Sequence, residues 1–481
     1  MGVLSNLQPK AVFQYFEEIC AIPHGSGNVE QISNYLVDFA KKRGLTYRQD
    51  EFYNVIIWKD ASAGYENHNP VILQGHMDMV CVKNSGCSKN MESEGLDLVI
   101  DGDYVKAVDT TLGGDDGIAV AYALALLDDE TILHPALEVI ITVDEEVGML
   151  GAAAIDLSDI QGNIMLNLDS EEEGIFISGC AGGAAVTCHV PISKEKIDGT
   201  VIDVHISGLE SGHSGEDIIY QRANANVLMG RILFALSQDV NMRIIHISGG
   251  EKDNSIAPSA DVAMLVEEDE LKDAVQLIED IAETLKKEYL LTDSNMKIEY
   301  VVKGKEYQNT YDAETTSMLV LALTHIPDGV VKMSNDIPGL VQTSLNLGIV
   351  KEEADEVCMT YLVRSSVTSE KDYMVAKITN FADVLGCEST VSGVYPAWEY
   401  RRDSRLCGIM CDAFEKIYGK QPKVRTMHAG VECGILAEKI KNLDCISFGP
   451  EIIDIHTPKE RLGITSVERT WKLILEVLQN L

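Results

Sequence analysis

The apolar positions of this chain change period several times, and the changes mark its elements. From Pro9 to Ala21 they recur at three and four residues, through Val12, Phe13, Phe16, Ile19 and Cys20, which predicts an amphipathic helix. Asn28 to Arg43 predicts a second helix, with Asn28 as its cap. Short apolar runs then predict strands: NVIIWK from Asn54, VILQG from Val71, LEVIITV from Leu137 and IMLNL from Ile164. Between the runs at Val71 and Leu137, GIAVAYALALL, Gly117 to Leu127, is apolar nearly all round, as a deeply buried helix must be. Strands alternating with helices predict an α/β sheet with helices on both faces.

The texture changes after the glycine-rich stretch 179–183. AAVTCHVPI and TVIDVHISGL alternate like half-buried antiparallel strands. MRIIHISGG, ADVAMLV and VCMTYLVRSS add strands, and helices are predicted at Ala223–Leu236, Asp269–Tyr289 and Glu370–Leu385. A helix near Ser404–Tyr418 and the strand CISFG from Cys445 return to the α/β texture. The expected fold is therefore α/β: a main domain with a mixed sheet flanked by helices, in two parts, 1–185 and 394–481, interrupted by an inserted α+β domain at 186–393. A chain of 481 residues is too long for one ordinary core, which agrees with two domains.

Composition narrows the partners. Apolar residues make up 46%, enough for large cores. The 76 acidic residues outnumber 39 basic ones, for a formal charge of −37, and such a surface repels phosphate backbones, so no nucleic acid is expected. Eleven scattered cysteines form no CxxC spacing. The start has no basic and apolar secretion pattern, and no run of 18 apolar residues occurs, so a cytoplasmic location with reduced thiols and no membrane span is expected.

Several polar signals fall where the predicted sheet ends its strands or opens its helices, the place where α/β sheets collect ligands. In VILQGHMDMV, His76 and Asp78 follow a buried strand, and a strand continued through Val80 would set them on one face. In TTLGGDDGIAVA, Asp115 and Asp116 stand before the buried helix; a helix cap explains one aspartate well and two less well. In ITVDEEVGMLGA an apolar strand runs into Asp144, Glu145 and Glu146, whose mutual repulsion calls for solvent or a cation. Asp169 ends IMLNLD, with Glu171 to Glu173 read as a solvated charge run, and His456 lies in IIDIHTPKERL. Imidazole and carboxylate donors without thiolates suit zinc, manganese or cobalt. Five of them exceed one catalytic zinc and suit two ions about 3.5–4 Å apart sharing a carboxylate. Glu145 is then left free beside Glu146 to act as a base.

These motifs, with ESGHSGEDI, RANAN and HAGVECG, resemble the aminoacyl-histidine dipeptidases, also called Xaa-His dipeptidases or bacterial carnosinases, of the co-catalytic di-zinc exopeptidase clan. The resemblance runs almost end to end. It implies that the main domain is catalytic and the insert a lid. It implies one zinc on His76, Asp115 and Asp169, and another on Asp115, Glu146 and His456, with Co2+ or Mn2+ also suited to these ligands. It implies Asp78 as the carboxylate partner of His76, Glu145 as general base, and a cis peptide after Asp115. In the lid it implies His213, Asn254 and Arg364 as substrate ligands, joined by Gly430 from the catalytic domain. The substrate implied is a small dipeptide such as β-alanyl-histidine, and the assembly a homodimer. The family usually reads GADNG where this chain has GGDDG, so Asp116 adds a negative charge beside the ions. The alternatives are a related di-zinc tripeptidase, an amidohydrolase of N-acyl amino acids, or a non-catalytic metal-binding protein.

Overall fold

The computed structural model describes residues 2–481, which divide into two compact units. The first comprises residues 2–180, 400–426 and 431–481, and the second residues 181–399 and 427–430. Among the described residues no helix is long and apolar enough to cross a membrane.

The first unit is built on a sheet whose strands run, in spatial order, Thr46–Gln49, Val55–Lys59, Leu137–Thr142, Val71–His76, Ile164–Asn167, Asp444–Ser447, Ile175–Cys180 and Lys423–Met427. The four from Leu137–Thr142 to Asp444–Ser447 are parallel, while Val55–Lys59 and Ile175–Cys180 join them antiparallel, so the sheet is mixed. Every residue of Val71–His76 and Leu137–Thr142 is buried, which is why their sequences read as mostly apolar runs. The register pairs His76 with Thr142 and Gln74 with both Ile140 and Asn167. Two strands therefore end level and the third stops two residues short of them, and the segments that leave them carry Asp78, Asp144 to Glu146, and Asp169 to one edge.

The helix Gly114–Asp128 is buried along its length to Leu127 and packs on the strand Val71–His76 and the helix Lys10–Cys20. Its first turn is irregular. Asp115 and Asp116 have non-helical dihedrals, and the peptide bond between them is cis. The close approach of helix to strand depends on Gly75. A Cβ there would overlap the Asp116 carboxylate and lie 2.6 Å from Cβ of Ala119.

The second unit is an antiparallel sheet with helices. Its strands run Lys297–Tyr311, Lys194–Ser207, Ala260–Val266, Met242–Gly249, Val341–Glu352, Glu356–Ser365, Gly182–Pro191 and Glu388–Tyr395, with Gly329–Met333 beside Val341–Glu352. The helices Ala225–Asp239, Leu271–Glu288, Ala313–His325 and Thr368–Leu385 complete its core with Val186, Val190, Val357 and Met359.

The differences from the sequence reading have local causes. The second helix starts at Glu30, not under an Asn28 cap, because the Asn28 amide donates to the Glu92 carbonyl at 3.0 Å instead. The strand from Val71 stops at His76, so Asp78 reaches it from a loop rather than along a shared strand face. The helix Ala313–His325 was not foreseen, although Asp312 caps it by accepting from the Thr315 N–H at 2.8 Å. The strand Lys297–Tyr311 is largely solvent-exposed and carries little apolar periodicity. A small four-stranded sheet of Leu98–Asp101, Tyr104–Ala107, Ile452–Ile453 and Arg461–Gly463 joins segments some 350 residues apart, in strands too short to show a period.

Gly75→Ala is expected to lower the unfolding free energy by about 1–3 kcal/mol, the usual cost of overpacking a tight contact. A fall in the urea midpoint with an unchanged slope is the measurement that checks it.

Candidate active site

The strand ends of the first unit gather imidazoles and carboxylates from five separate segments. His76, 1% exposed, turns Nε2 toward Asp115 Oδ1 at 3.2 Å and Asp169 Oδ1 at 3.5 Å. Its Nδ1 faces the Asp78 carbonyl at 3.0 Å and the Asp78 carboxylate at 3.4 Å, which fixes the ring and leaves Nε2 pointing into the cluster. Asp78 is held in turn: Ser26 Oγ donates to it at 2.8 Å and the Glu145 N–H at 3.1 Å. One buried carboxylate thus orients both a histidine and the backbone of Glu145.

His456 arrives from the far end of the chain. Its Nε2 lies 2.8 Å from Glu146 Oε1 and 3.2 Å from Asp115 Oδ2. Asp115 therefore shows one oxygen to each histidine. Among the described residues, Asp115, Glu146 and His456 each offer a donor atom within 4.8 Å of the other two. So do His76, Asp116 and Asp169, and so do His76, Glu145 and Glu146. The resemblance gives Asp116 no ligand role, only an added charge beside the ions. Asp116 joins the cluster, and its Oδ2 accepts the His76 N–H at 3.2 Å.

The electrostatics show what the cluster lacks. Burial, with Asp169, Glu146 and Asp115 nearby, pushes Glu145 up to about 8 against the pull of His76. Burial likewise pushes Asp169 up to about 7, with Asp115 and Glu171 adding to it. Asp115 moves the other way. Burial opposes its charge, but hydrogen bonds from His456 and His76 outweigh burial and hold it well below the carboxylate range. Hydrogen bonds to Asp115 and Glu146 raise His456 to about 10. Carboxylates this crowded must take up protons unless a cation replaces them. Nitrogen and oxygen donors at these separations are a donor set that fits divalent zinc, cobalt or manganese.

Two further carboxylates were missed in the sequence. Glu460 accepts from the backbone N–H groups of Leu112, Gly113, Gly114 and Asp115, at 2.7, 3.1, 2.8 and 3.4 Å. It clamps the loop that presents Asp115. Glu432 is wholly buried and accepts from Gln74 Nε2 and Thr142 Oγ1, each at 2.6 Å. Burial and the nearby Glu145 push it up to about 8. Neither follows a strand in the sequence, so the strand-end argument could not find them; only the quoted motifs KERL and HAGVECG contain them. The run Glu171 to Glu173 is not a solvated one. Only Glu172 is exposed, and Glu173 pairs with Arg469 and accepts from Tyr418 at 2.7 Å.

The remaining predicted residues belong to the second unit, Gly430 included, although the sequence assigned it to the other domain. Arg364, 5% exposed, donates through Nη1 to Tyr395 Oη at 2.7 Å, and its buried Nε has no hydrogen-bond partner among the described residues. The half-buried ring of His213 accepts from the N–H groups of Gly215 and Glu216 at Nδ1, at 3.3 and 3.2 Å. Burial and Arg364 both lower its basicity. Asn254 is exposed, and its carbonyl accepts from the Ser214 N–H at 2.9 Å. Gly430 leaves room for the Tyr395 ring, which would lie 2.6 Å from a Cβ. His428, unforeseen, sits beside this group. Ser344 Oγ lies 2.7 Å from its Nε2, and burial with Arg364 drives it down to about 3.

Comparison with known proteins identifies the family. Residues 72–480 match the model of peptidase family M20/M25/M40. The cytosol non-specific dipeptidase of Escherichia coli K12 is 34% identical over 485 residues, covering 100% of this chain and 99% of that one. A crystal structure of aminoacylhistidine dipeptidase from Vibrio alginolyticus superposes with a TM-score of 0.95 at 34% identity, covering 99% of this chain and 98% of that one. The aminopeptidase PepT of Bacillus cereus shares the fold at 16% identity, with a TM-score of 0.57 over 98% of each chain. The family match over residues 72–480, with a 34% identical relative aligned along the whole chain, places this chain in peptidase family M20/M25/M40, as a peptide-bond hydrolase of the dipeptidase kind.

Proposed function

We propose that this chain hydrolyses dipeptides at a two-ion centre. His76, Asp115 and Asp169 would hold one ion, and Asp115, Glu146 and His456 the other, with zinc the first choice and cobalt or manganese alternatives. The observation that carries the reading is Asp115, whose two oxygens each lie 3.2 Å from a different imidazole. That is the arrangement a bridging carboxylate requires. The chemistry supplied by such ions is polarisation of the scissile carbonyl and acidification of the attacking water.

The chain's own groups do the rest. Glu145 lies among the ligands with its backbone fixed by Asp78 and a carboxyl group poised near neutrality. It takes the proton of the attacking water and delivers it to the leaving amine. Asp78 holds His76 in one orientation. Arg364, with an unpartnered buried Nε beside a neutral His428, suits the C-terminal carboxylate of a dipeptide, and His213, Asn254 and Gly430 contribute to substrate binding with it.

The Vibrio relative is named for aminoacyl-histidine substrates and the Escherichia coli relative for broad dipeptides. By this proposal the chain is a dipeptidase that accepts Xaa-His substrates such as β-alanyl-histidine, acting in the cytoplasm as a homodimer. The decisive experiment measures metal content and hydrolysis of β-alanyl-histidine on one sample before and after chelation. About two ions per chain, with activity lost on chelation and restored by zinc or manganese, is expected. Hydrolysis of tripeptides or N-acetyl amino acids in place of dipeptides would move the substrate assignment.

Glu145→Gln should keep its ions and its circular dichroism while turnover falls by about 10²–10⁴, the usual worth of a general base. Near-normal turnover would refute the role. Glu460→Gln should weaken metal binding by about 10–100-fold, because an amide offers one acceptor oxygen where four N–H groups need two. Competition against a chelator of known affinity measures it, and Glu460→Asp should recover part of the loss.

A further inference from the structure

The outward face of the second unit's sheet carries a donor cluster of different chemistry from the centre described above. The strands Gly182–Pro191 and Glu356–Ser365 pair antiparallel, with His189 directly opposite Cys358. Glu356 lies two residues before Cys358 and so shares its face. Their neighbours Cys188, Val190, Val357 and Met359 point the other way into the core. The cluster is therefore a product of strand register, held by a rigid ladder rather than by loops.

Three donors of three kinds meet there. Glu356 Oε1 lies 2.8 Å from His189 Nδ1 and 3.2 Å from Cys358 Sγ, and Sγ lies 3.7 Å from Nδ1. Bonds of zinc in a tetrahedral site set nitrogen and oxygen donors about 3.4 Å apart and either of them about 3.6 Å from sulfur. The observed separations differ from these by about 0.1–0.6 Å, so an ion could enter if the Glu356 carboxylate drew back from His189 by about half an ångström. The other ring nitrogen of His189, Nε2, lies 3.0 Å from Thr390 Oγ1 on the neighbouring strand Glu388–Tyr395. Thr390 can accept from an Nε2–H, which leaves the Nδ1 lone pair facing the cluster. That is the outer hydrogen bond that metal-binding histidines ordinarily have.

We propose that Cys358, His189 and Glu356 form a separate binding site for one zinc-class divalent cation. The Cys358 thiol gives its proton to solvent and binds as thiolate. The imidazole binds through Nδ1 with its proton on Nε2, and one Glu356 oxygen binds as carboxylate. The fourth position is open, because the side chains of His189 and Glu356 are 22% and 37% exposed. Without an ion the thiol stays protonated, since burial and Glu356 push it up to about 12. The thiolate sets this site apart in preference, favouring softer ions than the nitrogen and oxygen donors of the first unit do.

Cobalt distinguishes the two sites without reference to catalysis. Thiolate bound to Co2+ produces an intense near-ultraviolet charge-transfer band, which imidazole and carboxylate ligands do not. The full-length protein, stripped of metal and titrated with Co2+ under reducing conditions, should develop that band and bind one more ion per chain than Cys358→Ser. The variant should lack the band and keep its peptidase activity. His189→Gln should weaken the ion responsible for the band by at least about tenfold, the low end for loss of a metal-site group. No band in the parent protein, or a band that survives Cys358→Ser, would overturn the proposal. Failure of the two-ion reading of the first unit would leave this band untouched, so the two results are separable.

Discussion

The Asp115 carboxylate, set between the imidazoles of His76 and His456, is the contact on which the site depends. The two histidines stand 380 positions apart in the chain and come from different segments of one unit. An aspartate that faces both must be aimed accurately, and its own side chain is too short to search. The aim is set by the backbone. Four consecutive N–H groups ending at Asp115 converge on Glu460, a carboxylate only four residues beyond His456. The same terminal segment thus brings one of the imidazoles and the clamp that positions the aspartate it meets.

Gathering this many acids in a buried place is costly, and the structure shows where the cost falls. Asp169, Glu145, Glu171 and Glu432 are all pushed toward neutrality, while Asp115 keeps its charge because two imidazoles face it. A structural core would have no reason to assemble them, since apolar residues of like volume would pack there without penalty. Divalent cations remove the repulsion and turn it into binding energy. The parallel strands make the gathering possible. They end within two residues of one another, so each departing segment delivers its acid to the same edge.

The second unit works on a different plan. Its antiparallel sheet buries one face against helices, and Thr187, His189, Cys358 and Thr360 lie on the other. On such a sheet, chemistry follows from register, and cross-strand neighbours such as His189 and Cys358 meet because the ladder fixes them. The group around Arg364 is arranged differently, with His428 arriving from residues 427–430 and buried beside the guanidinium.

The sequence by itself determined the mixed α/β sheet, the buried helix at Gly117–Leu127, and the acids and histidines at strand ends, because each is written in local periodicity. His76, Asp115, Glu145, Glu146, Asp169 and His456 were all legible as residues that interrupt an apolar run or open a helix. Their mutual distances were not legible, since no local pattern encodes which strand ends lie side by side. Tertiary structure alone decided that Asp116 joins the cluster, that Glu460 clamps the Asp115 loop, and that Asp78 reaches His76 from a loop. It alone buried Glu173 against Arg469 and set Cys358 opposite His189. Each of these depends on a contact between segments distant in the chain. Periodicity reports which face of an element is buried, whereas only packing and register decide what lies against it.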